Sequence, residues 1–129
     1  MSVNAYAATV PAFVQILTAL SAILAKALAH AEAKKIDPAV FVNARIAPDM
    51  FPLARQVQIA TDHAKGASAR LAGADVPSFA DTETTFTELQ TRIAKTLDFI
   101  KGLKPAEFDG GFDRNITLKI AGQEMTWKG

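Results

Sequence analysis

"FVQILTALSAILAKALAHA", residues 13–31, decides the class of fold. Phe13, Leu17, Leu20, Leu24, Ala27 and Ala31 recur at alternating spacings of four and three. A 3.6-residue period gathers such positions onto one apolar face of an α-helix. Ile16 and Ile23 lie on a flanking strip and are expected to widen the buried face. His30 continues that strip into the last turn, where a cationic imidazole complements the helix dipole. The helix is expected over about residues 3–32, with Pro11 kinking it or marking a late start, because proline removes a backbone donor.

Outward from that stretch the same period returns twice. Asp37-Pro38 reads as an N-cap followed by proline at the first helical position, starting a short helical turn through "AVFVNARI". Asp49 then caps a second long helix over about residues 50–72, which Gly73 stops. Asp81 is the expected cap of a third, over about 82–101, with Glu83 in its first turn and Phe86, Leu89, Ile93, Leu97 and Ile100 as its seam. Glu88 and Arg92 read as an i,i+4 pair on its exposed side, and Gly102 and Pro105 end it. The tail changes period: "NITLKIAGQEMTW" alternates apolar and polar residues. A two-residue loop at Ala121-Gly122 sets Leu118 opposite Met125 and Ile116 opposite Trp127, a β-hairpin over about residues 115–127. The Gly110-Gly111 pair is a lone turn signal. The expectation is a mainly all-α single domain, 1–129, of three long amphipathic helices and a C-terminal hairpin.

Composition narrows the chemistry. The 129 residues carry 14 Lys and Arg against 13 Asp and Glu, interspersed, so no basic face for nucleic acid is evident. The chain has no cysteine, which removes disulfides, thiolate nucleophiles and cysteine-bound metals, and fits a reducing cytoplasm. Its two histidines cannot supply a three-histidine metal centre from one copy. The first 25 residues contain no charged side chain. A secretory signal would open with basic residues, and a membrane span would not be broken by Asn4, Thr9, Pro11, Gln15, Thr18 and Ser21; a buried helix and no membrane partner are expected.

Candidate sites centre on "QIATDHAKGASARL", residues 58–71. At about 100° per residue the apolar stripe of this helix centres on Val57, Thr61, Ala64 and Ser68. His63 falls on one flank beside Gln56, Ile59 and Arg70; Asp62 falls on the other with Arg55, Gln58 and Lys65. The two are therefore a poor acid–base dyad. Asp62 reads as a solvated carboxylate near Lys65, whereas His63, on a flank that faces a cleft if a neighbouring helix packs off-centre, is a candidate metal ligand. Thr61 and Ser68 place hydroxyls in an alanine-rich seam, either lining a pocket or packing closely and bonding back to carbonyls one turn earlier. Asp49 and Arg45 are candidates at the bundle mouth. The sequence contains no phosphate loop, dinucleotide fingerprint, zinc-protease helix motif, nucleophile elbow or calcium loop.

Two blocks carry a resemblance: "IDPAVFVNARIAPDMFPLARQVQIATDHAKGASARLAG", residues 36–73, and "VPSFADTETTFTELQTRI", residues 76–93. They resemble an uncharacterised bacterial domain-of-unknown-function family grouped with the DinB/YfiT-like helical bundles, over about Tyr6 to Trp127. The resemblance implies a four-helix bundle, up-down-down-up and often dimeric. In many such proteins one histidine of the second helix and a histidine pair on the fourth hold a divalent metal such as nickel or zinc, and some act with low-molecular-weight thiols. Only His63 offers a counterpart. The family pattern continues past the hairpin into a fourth helix, and here the sequence stops at Trp127-Lys128-Gly129. The resemblance thus implies an unfilled apolar groove that a fourth helix or a second subunit covers. Two readings stay open: a small-molecule-binding or interaction module without a complete metal site, acting as a homodimer, or a divalent-metal-dependent transferase or hydrolase using His63 and ligands beyond this sequence.

Overall fold

Asn4 starts the first helix by accepting a hydrogen bond from the Ala7 amide at 2.7 Å. The computed structural model describes residues 3–129; Met1 and Ser2, the opening of the uncharged segment, lie outside them. Helix α1 spans Ala5–Ala33 with Pro11 inside it. Ala7, whose carbonyl loses its usual donor to that proline, is exposed. Helix α2 is short, Pro38–Val42, and Asp37 caps it as expected. It ends sooner than the sequence pattern, at the Asn43 C-cap, after which the Ala44 amide tightens to the Phe41 carbonyl at 3.1 Å.

Helix α3 spans Leu53–Ala72 and helix α4 spans Phe86–Lys101. Both begin later than the sequence suggests, for different reasons. Pro52, not Asp49, is the N-cap of α3, and no side chain caps it. Thr85, not Asp81, caps α4, accepting from the Glu88 amide at 3.1 Å. Residues 82–85 include three β-branched threonines, which are weak helix formers. Glu83 lies before the helix rather than in its first turn. Gly73 stops α3 in the left-handed conformation, φ 71°, and Gly102 ends α4.

The seam of α1 packs on both other long helices. Leu17, Leu24, Val57, Ala64, Leu89, Ile93 and Ile100 form the main core, with Phe13, Leu20 and Ala27 packed against it. A second core joins Ala5 and Val10 to Leu71, Ala72, Leu103 and Phe108 at the opposite end. The flanking strip of α1 is a correction: Ile16 and Ile23 are 64% and 60% exposed, because α3 and α4 meet α1 on its seam alone. By length and composition α1 is also apolar enough to cross a membrane, and 17% of its most apolar window is buried.

After α4, two 3-10 turns, Pro105–Phe108 and Gly111–Asp113, lead into strands β1, Asn115–Ile120, and β2, Gln123–Lys128. The register matches the expectation, with Ile116 opposite Trp127 and Leu118 opposite Met125. Ala121 and Gly122 both have positive φ, 51° and 83°, as the tight hairpin turn requires. A lone hairpin is marginal in water, and Arg114 ties this one down by donating to the Leu71 carbonyl at 2.9 Å. Gly111 is no idle turn residue, since a side chain there would stand 2.9 Å from that same carbonyl oxygen.

Candidate functional site

Helix α3 carries different chemistry on its two flanks. One flank presents Arg55, Gln58, Asp62 and Lys65, grouped there by the wheel, and all four enter a polar network closed by Arg92 of α4. Arg92 is not on the exposed side: it is 2% exposed. Its Nε donates to Thr61 Oγ1 at 2.7 Å. Its Nη1 donates to the Ala80 carbonyl at 3.2 Å and to Glu83 Oε1 at 3.0 Å. Its Nη2 meets Asp62 Oδ1 at 2.7 Å and Asp81 Oδ1 at 3.1 Å. Five oxygen-bearing groups therefore surround one guanidinium, the satisfied arrangement a buried charge demands.

The remaining members complete the charge balance. Lys65, 4% exposed, pairs with Asp62 Oδ1 at 3.2 Å and lies 4.3 Å from the centroid of the Phe79 ring. Arg55 pairs with Asp81 at 2.9 Å, and Gln58 donates to Glu83 at 3.0 Å. Burial alone would raise the Glu83 carboxyl, but hydrogen bonds from Arg92, its own backbone and Gln58, with the Arg92 charge, hold it below the usual carboxylate range. For Arg92, burial alone would lower its pKa, but the hydrogen bonds and charges of Glu83, Asp62 and Asp81 raise it. Three cations and three carboxylates thus clasp the irregular strap between α3 and α4 onto the bundle. The clue in the sequence was the polar flank of α3; its partner, Arg92, reads on a wheel as a surface residue.

The other flank of α3 faces the hairpin across a cleft of about 320 Å³. Ala67 and Leu71 of α3 and Ile116 and Leu118 of β1 give it aliphatic walls, and His63, Arg70 and Asp62 reach its polar edge. Arg70 folds back along its own helix over Gly66, where a side-chain carbon would collide with the guanidinium. A glycine in mid-helix costs about 1 kcal/mol against alanine, and here its missing side chain makes room for Arg70. A larger groove, about 400 Å³, runs between the strap and α4 past Thr82, Thr87 and Thr91. The Arg92 and Glu83 charges at this groove already satisfy each other.

The remaining candidates separate. Thr61 and Ser68 are fully buried in the seam rather than lining the His63 cleft. Thr61 bonds back to the Gln58 carbonyl at 2.8 Å, whereas Ser68 Oγ finds no partner among the described residues. Asp49 is exposed and does not cap α3. Arg45 is also exposed and, among the described residues, donates only to the nearby Pro48 carbonyl, at 3.3 Å. Neither lines the His63 cleft. His30 ends α1 against the edge of Phe41, ring centroids 6.0 Å apart. Asp62 keeps the Lys65 neighbour the sequence suggests and stays partly open to water, but it is also held by the buried Arg92.

A divalent metal does not fit the residues around His63. Asp62 Oδ1 is taken by two cations, and Arg70 adds positive charge to the same cleft. Among the described residues no cluster of three or more His, Asp or Glu could hold a metal ion.

Comparison with known proteins agrees with this architecture. No curated protein matches the chain. A crystal structure of a DinB family member protein from Shewanella denitrificans is 42% identical, with a TM-score of 0.82, over 94% of this chain and 70% of that one. Residues 5–129 match the domain of unknown function DUF1993. The chain therefore belongs to the DUF1993 family and has the DinB-like helical fold.

Proposed function

We propose that this chain is a small-molecule-binding helical-bundle module whose recognition surface is the cleft between α3 and the hairpin. One observation carries the reading: four aliphatic side chains form its walls while two nitrogen donors, His63 and Arg70, converge on its edge. Ligand sites are mostly apolar with a few placed polar groups, and run upward from about 300 Å³, so this cleft suits a small ligand. The test is a ligand-detected NMR screen of small organic compounds against the protein and its Ala67→Phe variant, which fills the cleft from the α3 side. Binders lost on that substitution are expected; binders indifferent to it would move the site elsewhere.

We also propose a cytoplasmic homodimer, in which a second copy covers the outer strip of α1. The exposure of Ile16 and Ile23 on a segment without charges supports it. Sedimentation of the protein beside an Ile16→Glu/Ile23→Glu variant checks it, with a monomer expected only for the variant.

A further inference from the structure

We propose that the α3–hairpin cleft selects small amphipathic monocarboxylates, aryl or medium-chain acids, with the carboxylate on Arg70 and the tail between Leu71, Ile116 and Leu118. This rests on the cleft being the recognition surface. Arg70 is the discriminating feature. Among the described residues no carboxylate forms an ion pair with it, although Asp62 lines the same cleft. Asp62 is committed elsewhere: Arg92 and Lys65 share its Oδ1 at 2.7 and 3.2 Å. Its charge is therefore offset from the far side of the helix, and Arg70 is left as a cationic fork for a ligand.

The groups around Arg70 argue for the ligand class. A guanidinium matches a carboxylate in two parallel hydrogen bonds, and His63 adds a donor or acceptor at the same edge. Behind them Ala67, Leu71, Ile116 and Leu118 offer aliphatic surface beside the Gly129 backbone, which rewards a tail and gives inorganic anions little. Gly66 holds the fork in place: its missing side chain leaves the space where the guanidinium rests. One cation and a narrow volume favour a single negative charge on a compact molecule.

Trp127 supplies the readout. It is the only tryptophan in the chain and stands opposite Ile116, a wall of the cleft. Octanoate and benzoate are titrated against tryptophan fluorescence, with octanol, benzyl alcohol, octylamine and inorganic phosphate as controls. Saturable binding of an acid is expected, weakened by about tenfold or more when the carboxylate becomes an alcohol or when Arg70→Gln removes the fork. Gly66→Ala is expected to weaken binding without lowering the unfolding midpoint, which separates displacement of Arg70 from a folding defect. Equal affinity for acid and alcohol, or an Arg70→Gln variant that binds the acid unchanged, overturns the charge selection while leaving the cleft as a binding site. Phosphate binding as tightly as octanoate overturns the role of the tail. If no acid binds and the NMR screen finds no ligand lost in Ala67→Phe, both readings fall.

Discussion

Arg92 Nη2 stands 2.7 Å from Asp62 Oδ1, although the two residues are 30 apart in the chain and belong to different helices. The contact joins α4 to α3, and the same guanidinium gathers Asp81 and Glu83 from the strap between them. One side chain therefore decides where that strap lies.

Arg92→Met should destabilise the fold by about 3 kcal/mol, the lower end for breaking a buried pair, since Asp62 and Asp81 can turn to water while Glu83 cannot. Arg92→Lys should recover only part of that loss, because an ammonium lacks the planar fork that reaches all five groups. Urea unfolding of the three proteins measures both effects. An Arg92→Met midpoint equal to wild type would show the network to be dispensable.

Glu83 predicts the acid limb of stability. Its folded pKa lies below its ordinary 4.5, so between the two values the unfolded chain binds more protons than the native one, and stability rises with pH there. The contribution is present above 4.5 and disappears as pH falls through the folded value. Arg92, whose already high pKa is raised further by its carboxylate partners, stays cationic throughout that window. Glu83→Gln should flatten the acid limb of the urea midpoint plotted against pH.

Ser68 is completely buried with an unpartnered hydroxyl. Ser68→Ala should be neutral or stabilising by up to about 1 kcal/mol, because it removes a polar group that lost water and gained no bond. A thermal unfolding midpoint that falls would reveal a partner for the hydroxyl.

Two glycines should respond in opposite directions to alanine. At Gly111 the new carbon would stand 2.9 Å from the Leu71 carbonyl oxygen and 3.0 Å from the Ala5 side chain. Backbone cannot yield cheaply there, so overpacking should cost about 1–3 kcal/mol. At Gly66 the obstacle is only the mobile end of Arg70, so the substitution should stabilise α3 by up to about 1 kcal/mol. Chemical denaturation of the two variants tests the pair, and equal shifts would contradict it.

What the sequence settled by itself depends on near neighbours in the chain. The seams through Leu17, Leu24, Leu89 and Ile93, the stop at Gly73 and the hairpin register of Ile116 with Trp127 all follow from local period and turn chemistry. Even the polar flank of Arg55, Gln58, Asp62 and Lys65 was legible, because a helical wheel needs only one helix. What that flank does was not. Whether Arg92 is a surface partner of Glu88 or the buried hub of three carboxylates depends on which faces of distant segments meet. Tertiary packing likewise left Ile16 and Ile23 outside and drew Asp81 and Glu83 away from the start of α4. It also brought Ile116 and Leu118 across from His63 and Arg70. A charge can be buried, and a cleft can form, only when groups remote in sequence arrive together, and periodicity along one chain segment carries no record of that meeting.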